Sequence, residues 1–171
     1  MGEAVAEICT AHHAIDVLVA DTREAQARIW DIRGRFYEAL VENRVVKLVD
    51  TVVPQSLVAE FMAEVKRLAA ACGVKIMGFG HAGDGNVHLH LVKGDLSDEE
   101  WTTRGPETMK KVYETAIAYG GTISGEHGIG LAKKEYFLLS VGAEELMLMR
   151  GIKRLFDPHN ILNPGKIFDM E

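Results

Sequence analysis

The stretch Asn86-Val87-His88-Leu89-His90-Leu91 alternates strictly between polar and apolar side chains. Because successive side chains of a strand point to opposite faces, this pattern predicts a β-strand with its amide and imidazole groups on one face. The other face then packs in the core. The polar face is either part of a functional site or a face in contact with water, since antiparallel sheets often expose one side.

Glycine-rich segments at 80–90 and 121–128 concentrate the candidate chemistry. Their glycines allow tight turns and a close approach of the backbone to a ligand. Histidine nitrogens and carboxylate oxygens are the groups that a divalent transition metal or a proton-transfer site uses. The candidates in these segments are His81, His88, His90, Glu126 and His127.

Three of these candidates have the chemistry of a metal centre. A catalytic metal needs about three protein ligands and an open position. His81, His88 and Glu126 would supply them if the turn at Ala82–Gly85 folds His81 back beside His88 and if the two segments meet. A polar sheet face without any metal is the alternative interpretation.

Strands and helices alternate along the chain. Short apolar or β-branched runs predict strands at 15–20, 45–53 and 74–79. Apolar residues at three- and four-residue spacing predict helices, and polar caps and glycines mark their ends. The helices are expected over 25–40 after a start at Asp21 and Glu24, from Ser56 to Gly73, from Ser97 past Pro106 to Gly120, and over 143–156. The mixture predicts an α+β domain with an antiparallel sheet covered by helices.

The expected helix over 25–40 has an apolar stripe that should face the core. The stripe consists of Ala25, Ile29, Ile32, Phe36 and Leu40. A second stripe of this helix carries Trp30, Arg33 and Tyr37.

Composition limits the class of protein. The 171 residues are 47% hydrophobic, which predicts one domain over 1–171 with a real core. A net charge of -6 without a basic run argues against nucleic acid or an anionic membrane as a partner. No apolar stretch approaches the roughly 18 residues of a membrane span, and no secretory signal is recognisable, so a cytoplasmic protein is expected. Cys9 and Cys72 are expected to be reduced core residues.

Three motifs of this chain, taken in order, resemble the C-terminal domain of the FAD-linked oxidases. They are the two glycine-rich segments and the stretch Phe156-Asp157-Pro158-His159-Asn160-Ile161-Leu162-Asn163-Pro164-Gly165-Lys166. The family includes D-lactate dehydrogenase, glycolate oxidase and D-2-hydroxyglutarate dehydrogenase, and the similarity extends from about Asp16 to Phe168. It implies a ferredoxin-like α+β cap over a separate flavin-binding domain.

The resemblance also implies which part of an enzyme this is. Members normally begin the domain with a further strand and helix, so an N-terminally truncated domain is expected. Nothing in the chain resembles the flavin domain with its glycine-rich loops. We therefore expect a fragment or a separately encoded subunit that is inactive alone, and a homodimer is plausible because the docking face is left open.

The resemblance assigns roles to residues at the site. In metal-dependent members the residues matching His81, His88 and Glu126 bind zinc, and the residue matching His127 is the general base. A histidine is suited to this because its unperturbed pKa lies near neutrality. Without the family, a histidine that is merely hydrogen-bonded in its loop is the alternative. Asn163 matches an asparagine that contacts FAD.

Substrate contacts follow from the same resemblance. Trp30-Asp31-Ile32-Arg33 is similar to a Trp-x-x-Arg segment whose arginine would bind the carboxylate of a 2-hydroxy acid bidentately; a helix-surface ion pair is the alternative. Tyr37 and His90 fall at substrate-contacting positions, the latter an asparagine in the hydroxyglutarate enzymes. Lys47 lies near a family lysine that usually stands two residues before an aspartate, whereas Lys47 precedes Asp50 by three.

The predicted function is the substrate-binding cap of an FAD-dependent dehydrogenase that oxidises a small D-2-hydroxy acid. Its expected partners are a flavin-binding domain and the hydroxy acid. Two alternatives use the same residues: a metal-dependent hydrolase without flavin, and a non-catalytic metal-binding module.

Overall fold

The computed structural model describes residues 2–42, 44–81 and 83–170. The chain divides into two compact units, Met1–Asn43 and Arg44–Glu171. One domain over 1–171 stays a prediction. In the described part of the chain, no helix is both long enough and apolar enough to cross a membrane.

The first unit is built of helices. They are α1 (Gly2–Ala11), α2 (Arg23–Gly34) and α3 (Phe36–Val41). Thr22, one residue later than the predicted start at Asp21, caps α2, because its Oγ1 accepts a hydrogen bond from the Ala25 N–H at 3.1 Å. A short polar side chain in this place satisfies a donor that the first turn leaves free.

Two predictions for the first unit are wrong. The run at 15–20 is not a strand, and Ile15, Leu18 and Val19 are exposed. A strand needs a neighbour for its backbone hydrogen bonds, and the described residues of this unit contain none. The helix expected over 25–40 is interrupted at Arg35 after Gly34, a residue that disfavours helix interiors.

The expected apolar stripe is also wrong for most of its length. Leu40 is buried, whereas Ile29, Ile32 and Phe36 are exposed. Spacing alone identifies an amphipathic face but does not say whether the chain provides a surface to cover it.

The second unit contains a three-stranded antiparallel sheet. Its strands are β1 (Val46–Val52), β2 (Lys75–His81) and β3 (Asn86–Val92), in the order β1-β3-β2. The long helix α4 (Val58–Cys72) connects β1 to β2, and α5 (Asp98–Ala118) follows β3. The central position of β3 between two strands joined by a helix is the split β-α-β arrangement of ferredoxin-like folds. The predicted α+β class is confirmed.

The core lies between this sheet and the two long helices. Val49 and Leu89 are direct partners across β1 and β3, and both are fully buried. Phe61 and Val65 of α4 and Tyr113 of α5 pack in the same cluster. Each buried side chain of this size contributes about 1.5–3 kcal/mol relative to an exposed one.

The ends of the long helices follow local rules, with one exception. Ser97 and Glu100 form the predicted capping box of α5, which continues through Pro106. Gly73 ends α4 with φ 64°, a left-handed conformation that favours glycine. The predicted cap at Ser56 is wrong, because a single 3₁₀ turn (Gln55–Leu57) takes up that residue and α4 begins only at Val58.

The rest of the second unit is less regular. Thr122 forms one antiparallel bridge with Val52 at the outer side of β1. A short helix α6 (Lys134–Phe137) precedes α7 (Ala143–Phe156), whose bounds are those predicted.

Candidate active site

The polar face of β3 is buried. Asn86 and His88 are 5% and 6% exposed, and His90 is 1% exposed. The interpretation of this face as one in contact with water is therefore wrong. Antiparallel pairing places Asp50 of β1 directly opposite His88, so a carboxylate and an imidazole share the face.

A tight hairpin turn brings His81 beside His88. The N–H groups of Asp84 and Gly85 donate to the His81 carbonyl oxygen, and Gly85 has φ 81°. A side chain at Gly85 would collide with the Val53 carbonyl oxygen, which explains the glycine. The predicted turn begins at Ala82, which lies outside the described residues. The His81 and His88 rings meet edge to face, with centroids 5.4 Å apart.

Glu126 completes the cluster from a distant segment. Its Oε1 lies 3.2 Å from His88 Nε2 and 3.7 Å from His81 Nε2. The three ligand atoms all lie within 4.8 Å of one another. Convergence of His81, His88 and Glu126 was expected from the sequence and is confirmed. Two imidazoles and one carboxylate are a donor set that suits Zn²⁺ with an open position.

His127 lies over this cluster. Its ring stacks on His88 with centroids 5.0 Å apart, and its Nε2 is 3.7 Å from Glu126 Oε1. The side chain is 43% exposed. It therefore presents a basic nitrogen next to the candidate ligands while remaining open to an incoming molecule.

Asp50 and Lys133 lie beneath the cluster, and the sequence analysis did not identify them. Asp50 is fully buried, and Lys133 Nζ lies 3.1 Å from its Oδ2. Burial alone would raise the pKa of Asp50, but the His127 N–H and the Lys133 ammonium stabilise the carboxylate and lower its pKa to about 2. Burial lowers the pKa of Lys133, and Asp50 opposes that shift.

A second group of possible ligands consists of Asp50, His88 and His127. Lys133 argues against a metal ion there, because its ammonium already pairs with the carboxylate that would have to bind the ion. The cluster around Glu126 is therefore the better candidate.

The sequence contains a signal for Asp50 but none for Lys133. A lone carboxylate in the middle of a strand of β-branched residues must find a buried partner or distort the sheet. Lys133 lies in an irregular loop between α5 and α6, where no periodic pattern distinguishes it.

Burial also favours the neutral form of the two histidines of β3, His88 and His90. It lowers the pKa of His88, although the Asp50 carboxylate opposes the shift. It lowers the pKa of His90 as well, and the nearby His88 and His127 add to the effect. A neutral imidazole is the form that binds a metal ion.

Two predicted substrate contacts of the second unit, His90 and Lys47, lie outside the cluster of His81, His88 and Glu126. His90 stacks on Phe79, with centroids 5.1 Å apart. Lys47 pairs with Leu91 in the sheet register, on the face opposite to Asp50, and its stem lies against Gly105. With His127 it lines a cavity of about 560 Å³ at the edge of β1. Their contacts with substrate stay predictions.

Two predicted substrate contacts belong to the first unit. Arg33 is exposed on α2, with its guanidinium carbon 5.6 Å from the centre of the Trp30 ring. Tyr37 is exposed on α3. Asn163, the predicted flavin contact, is exposed in the C-terminal segment with φ 50°. These three roles also stay predictions.

Comparison with known proteins agrees with the motifs. A family model described as "FAD linked oxidases, C-terminal domain" matches residues 2–167. The chain belongs to this family. The FAD-linked oxidase match extends further towards the N-terminus than the resemblance at about Asp16 suggested.

Three relatives of this FAD-linked oxidase domain carry different names. A D-lactate dehydrogenase from Anaerostipes hadrus is 42% identical over 96% of this chain and 35% of that protein. A glycolate oxidase subunit from Bacillus subtilis is 35% identical over 97% of this chain and 35% of that protein. A D-2-hydroxyglutarate dehydrogenase from Xanthomonas citri pv. viticola is 37% identical over 90% of this chain and 33% of that protein. The chain spans about a third of the length of these relatives.

Proposed function

We propose that this chain is the substrate-binding cap of an FAD-dependent dehydrogenase that oxidises a small D-2-hydroxy acid. The observation that carries the proposal is the position of His127 against the cluster of His81, His88 and Glu126. A base next to three candidate ligands suits alcohol oxidation at a carboxylate-bearing carbon, because it can take the hydroxyl proton while a bound metal polarises the oxygens. The names of the relatives support lactate, glycolate or hydroxyglutarate as the type of substrate.

His127 is the proposed general base. Its imidazole takes the proton of the substrate hydroxyl while the hydrogen on the carbon that bears this hydroxyl leaves as hydride. A positioned base of this kind contributes about 10²–10⁴-fold to the rate. Stacking on His88 fixes the ring plane, which limits the directions from which the hydroxyl can approach.

The cofactors are held in part by this chain. His81, His88 and Glu126 would bind a divalent metal, proposed to be zinc, which polarises hydroxyl and carboxylate oxygens when bound. FAD supplies the hydride acceptor when bound by a separate domain, and Asn163 would contact it. Arg33 would bind the substrate carboxylate.

A flavin-binding domain or subunit is the proposed partner, and the chain alone is proposed to be inactive. The exposed apolar residues of the C-terminal helix support a docking role, since large exposed apolar patches commonly mark interfaces. They are Met147, Leu148, Ile152, Leu155 and Phe156. Without the partner the same residues would favour self-association into a homodimer.

A chimera tests the proposal. The matching 35% of the Anaerostipes hadrus relative is replaced by this chain, and reduction of an artificial electron acceptor is measured with D-lactate, glycolate and D-2-hydroxyglutarate. We expect flavin absorbance in the chimera, a colourless isolated chain, and oxidation of at least one of the three acids.

Three results would contradict the proposal. A chimera that retains stoichiometric flavin but oxidises none of the acids would contradict the proposed dehydrogenase function. Flavin that stays on the isolated chain through gel filtration contradicts its role as a cap. Ester or amide hydrolysis by the metal-loaded chain alone supports the hydrolase instead.

A further inference from the structure

We propose that Asp50 is a positioning residue that organises both halves of the site with one carboxylate. Its Oδ2 holds the backbone of the loop that carries Glu126 and His127, and its Oδ1 sets the proton position on His88. The inference rests on the proposed function for its biological meaning, but its test requires no catalysis.

Oδ2 of Asp50 is surrounded by backbone donors. The N–H groups of Gly125, Glu126 and His127 donate to it at 3.1, 3.2 and 3.0 Å. Consecutive N–H groups that converge in this way form an anion-binding concavity. Because the donors belong to the residues that carry the side chains of the site, the carboxylate fixes where those side chains begin.

A buried cation keeps this carboxylate ionised and in place. Lys133 Nζ donates to Asp50 Oδ2 at 3.1 Å, to the Asp50 carbonyl oxygen at 3.2 Å and to Ser124 Oγ at 3.1 Å. Ser124 Oγ in turn lies 3.2 Å from Oδ2. A buried ammonium with three acceptors holds its partners in one geometry.

The other oxygen faces His88. Asp50 Oδ1 lies 3.6 Å from His88 Nδ1, and neither atom has a hydrogen-bond partner among the described residues. A hydrogen bond between them requires this distance to shorten to about 3.2 Å or less. In that bond the ionised carboxylate only accepts, so Nδ1 carries the proton and Nε2 offers its lone pair to a metal ion. Without a metal ion the Glu126 carboxylate, 3.2 Å from Nε2, competes for the same proton.

The side chain introduced by Asp50→Asn cannot meet both demands. If its amide oxygen accepts from the loop N–H groups, its NH₂ points at His88 Nδ1 and favours the opposite tautomer, with the proton on Nε2. If the amide is reversed, its NH₂ meets three N–H donors and the Lys133 ammonium. The first orientation is the better one, so Asp50→Asn should move the proton of His88.

The test is nitrogen-15 NMR of the labelled, metal-free chain carrying Glu126→Ala, which removes the competing carboxylate at Nε2. The spectra are recorded at a pH where the histidines are neutral, and the His88 signals are assigned by their absence after His88→Gln. We expect a protonated Nδ1 in the Glu126→Ala chain and a protonated Nε2 when Asp50→Asn is added. In the chain with Glu126 intact, calorimetry should show a Zn²⁺ affinity about 10–100-fold lower in Asp50→Asn, as is typical of a lost outer partner of a metal ligand.

Asp157→Asn is the matched control. Asp157 is also a buried carboxylate that accepts two backbone N–H groups, from Ile161 and Leu162, and pairs with a lysine, Lys153. This control should lose stability, but it should keep the His88 tautomer and the Zn²⁺ affinity of the parent.

Two outcomes would overturn the inference. One is a Glu126→Ala protein whose His88 carries its proton on Nε2, a result that does not depend on the folding of Asp50→Asn. The other is a folded Asp50→Asn protein that leaves the tautomer unchanged in the Glu126→Ala background and keeps a Zn²⁺ affinity within threefold of the parent when Glu126 is intact. Neither result bears on hydroxy-acid oxidation by the chimera, so this inference and the proposed function can fail separately.

Discussion

Gly125 lies so close to the amide of Asn86 that a Cβ at Gly125 would stand 2.6 Å from Asn86 Oδ1. Asn86 is the first residue of β3 and is buried, so its side chain has little room to retreat. The contact joins the strand of His88 to the loop of Glu126.

The first prediction follows from this contact. Gly125→Ala should lower the free energy of unfolding by about 1–3 kcal/mol, because the new methyl group would overlap the buried side chain of Asn86. Urea denaturation measures it. Gly83→Ala is the control, since its Cβ would meet nothing within 4 Å. Adding Asn86→Ala should recover part of the loss, and strict additivity of the two substitutions would contradict the steric account.

The second prediction concerns His127 in the chimera. His127→Ala should lower kcat by about 10²–10⁴-fold with little change in KM, because a general base acts mainly in the transition state. Steady-state kinetics with the preferred acid measures both. The exposed His159 offers a control in His159→Ala. Turnover of His127→Ala within threefold of the parent would exclude its role as the base.

The third prediction concerns Arg33. In the chimera Arg33→Ala should raise KM strongly, since the substrate carboxylate loses a charge-assisted bidentate partner. Arg35→Ala is a matched control on the same stretch of chain, because Arg35 pairs with Asp31 on the helix surface. Equal KM values for the two variants would assign Arg33 to a structural role next to Trp30.

The fourth prediction concerns metal binding by the isolated chain. Each of the three ligand substitutions, His81→Ala, His88→Ala and Glu126→Ala, should lower the Zn²⁺ affinity by more than the 10–100-fold that is typical of a lost outer partner. The reason is that each one removes a ligand. Calorimetry measures the affinities, and His12→Ala in the first unit is the control. Unchanged binding in all three would mean that Zn²⁺ binds elsewhere.

The fifth prediction concerns acid stability. The hydrogen bond from Lys153 and the N–H groups of Leu162 and Ile161 outweigh burial and lower the pKa of Asp157 from 3.8 to about 2. A carboxyl group with a lowered folded-state pKa stabilises the protein above pH 4, and this contribution disappears as the pH falls towards 2. Asp157→Asn should therefore be less stable at pH 7 and lose less stability between pH 4 and pH 2. Urea denaturation across this range measures it, with the exposed Asp95→Asn as control. Parallel curves for parent and Asp157→Asn would contradict the assignment.

Where local rules and burial agree, the sequence predicted the structure well. The alternation in β3, the capping box at Ser97 and the stop at Gly73 are all present. The strand predicted at 15–20 was wrong, because a strand depends on a pairing partner that the local sequence pattern does not reveal.

The sequence identified the residues of the cluster but not the buried residues that support them. The glycine-framed segments contained His81, His88 and Glu126, and the structure brings them together. Asp50 and Lys133 meet over 83 residues of chain, and such a pair becomes visible only when the fold is known. The position of Lys47 was also not decided by the sequence. One residue of offset along β1 determines which face of the sheet a side chain occupies.

All seven residues of β3 are buried, so both faces of this strand pack against other parts of the protein. The residues that build the core alternate with those that build the cluster, and a change at either kind perturbs the other through the same backbone. Mutational libraries on this strand would therefore mostly select for foldability rather than specificity. Adaptation to a new substrate has more freedom at exposed loop positions such as Gly83, where a side chain would meet nothing within 4 Å.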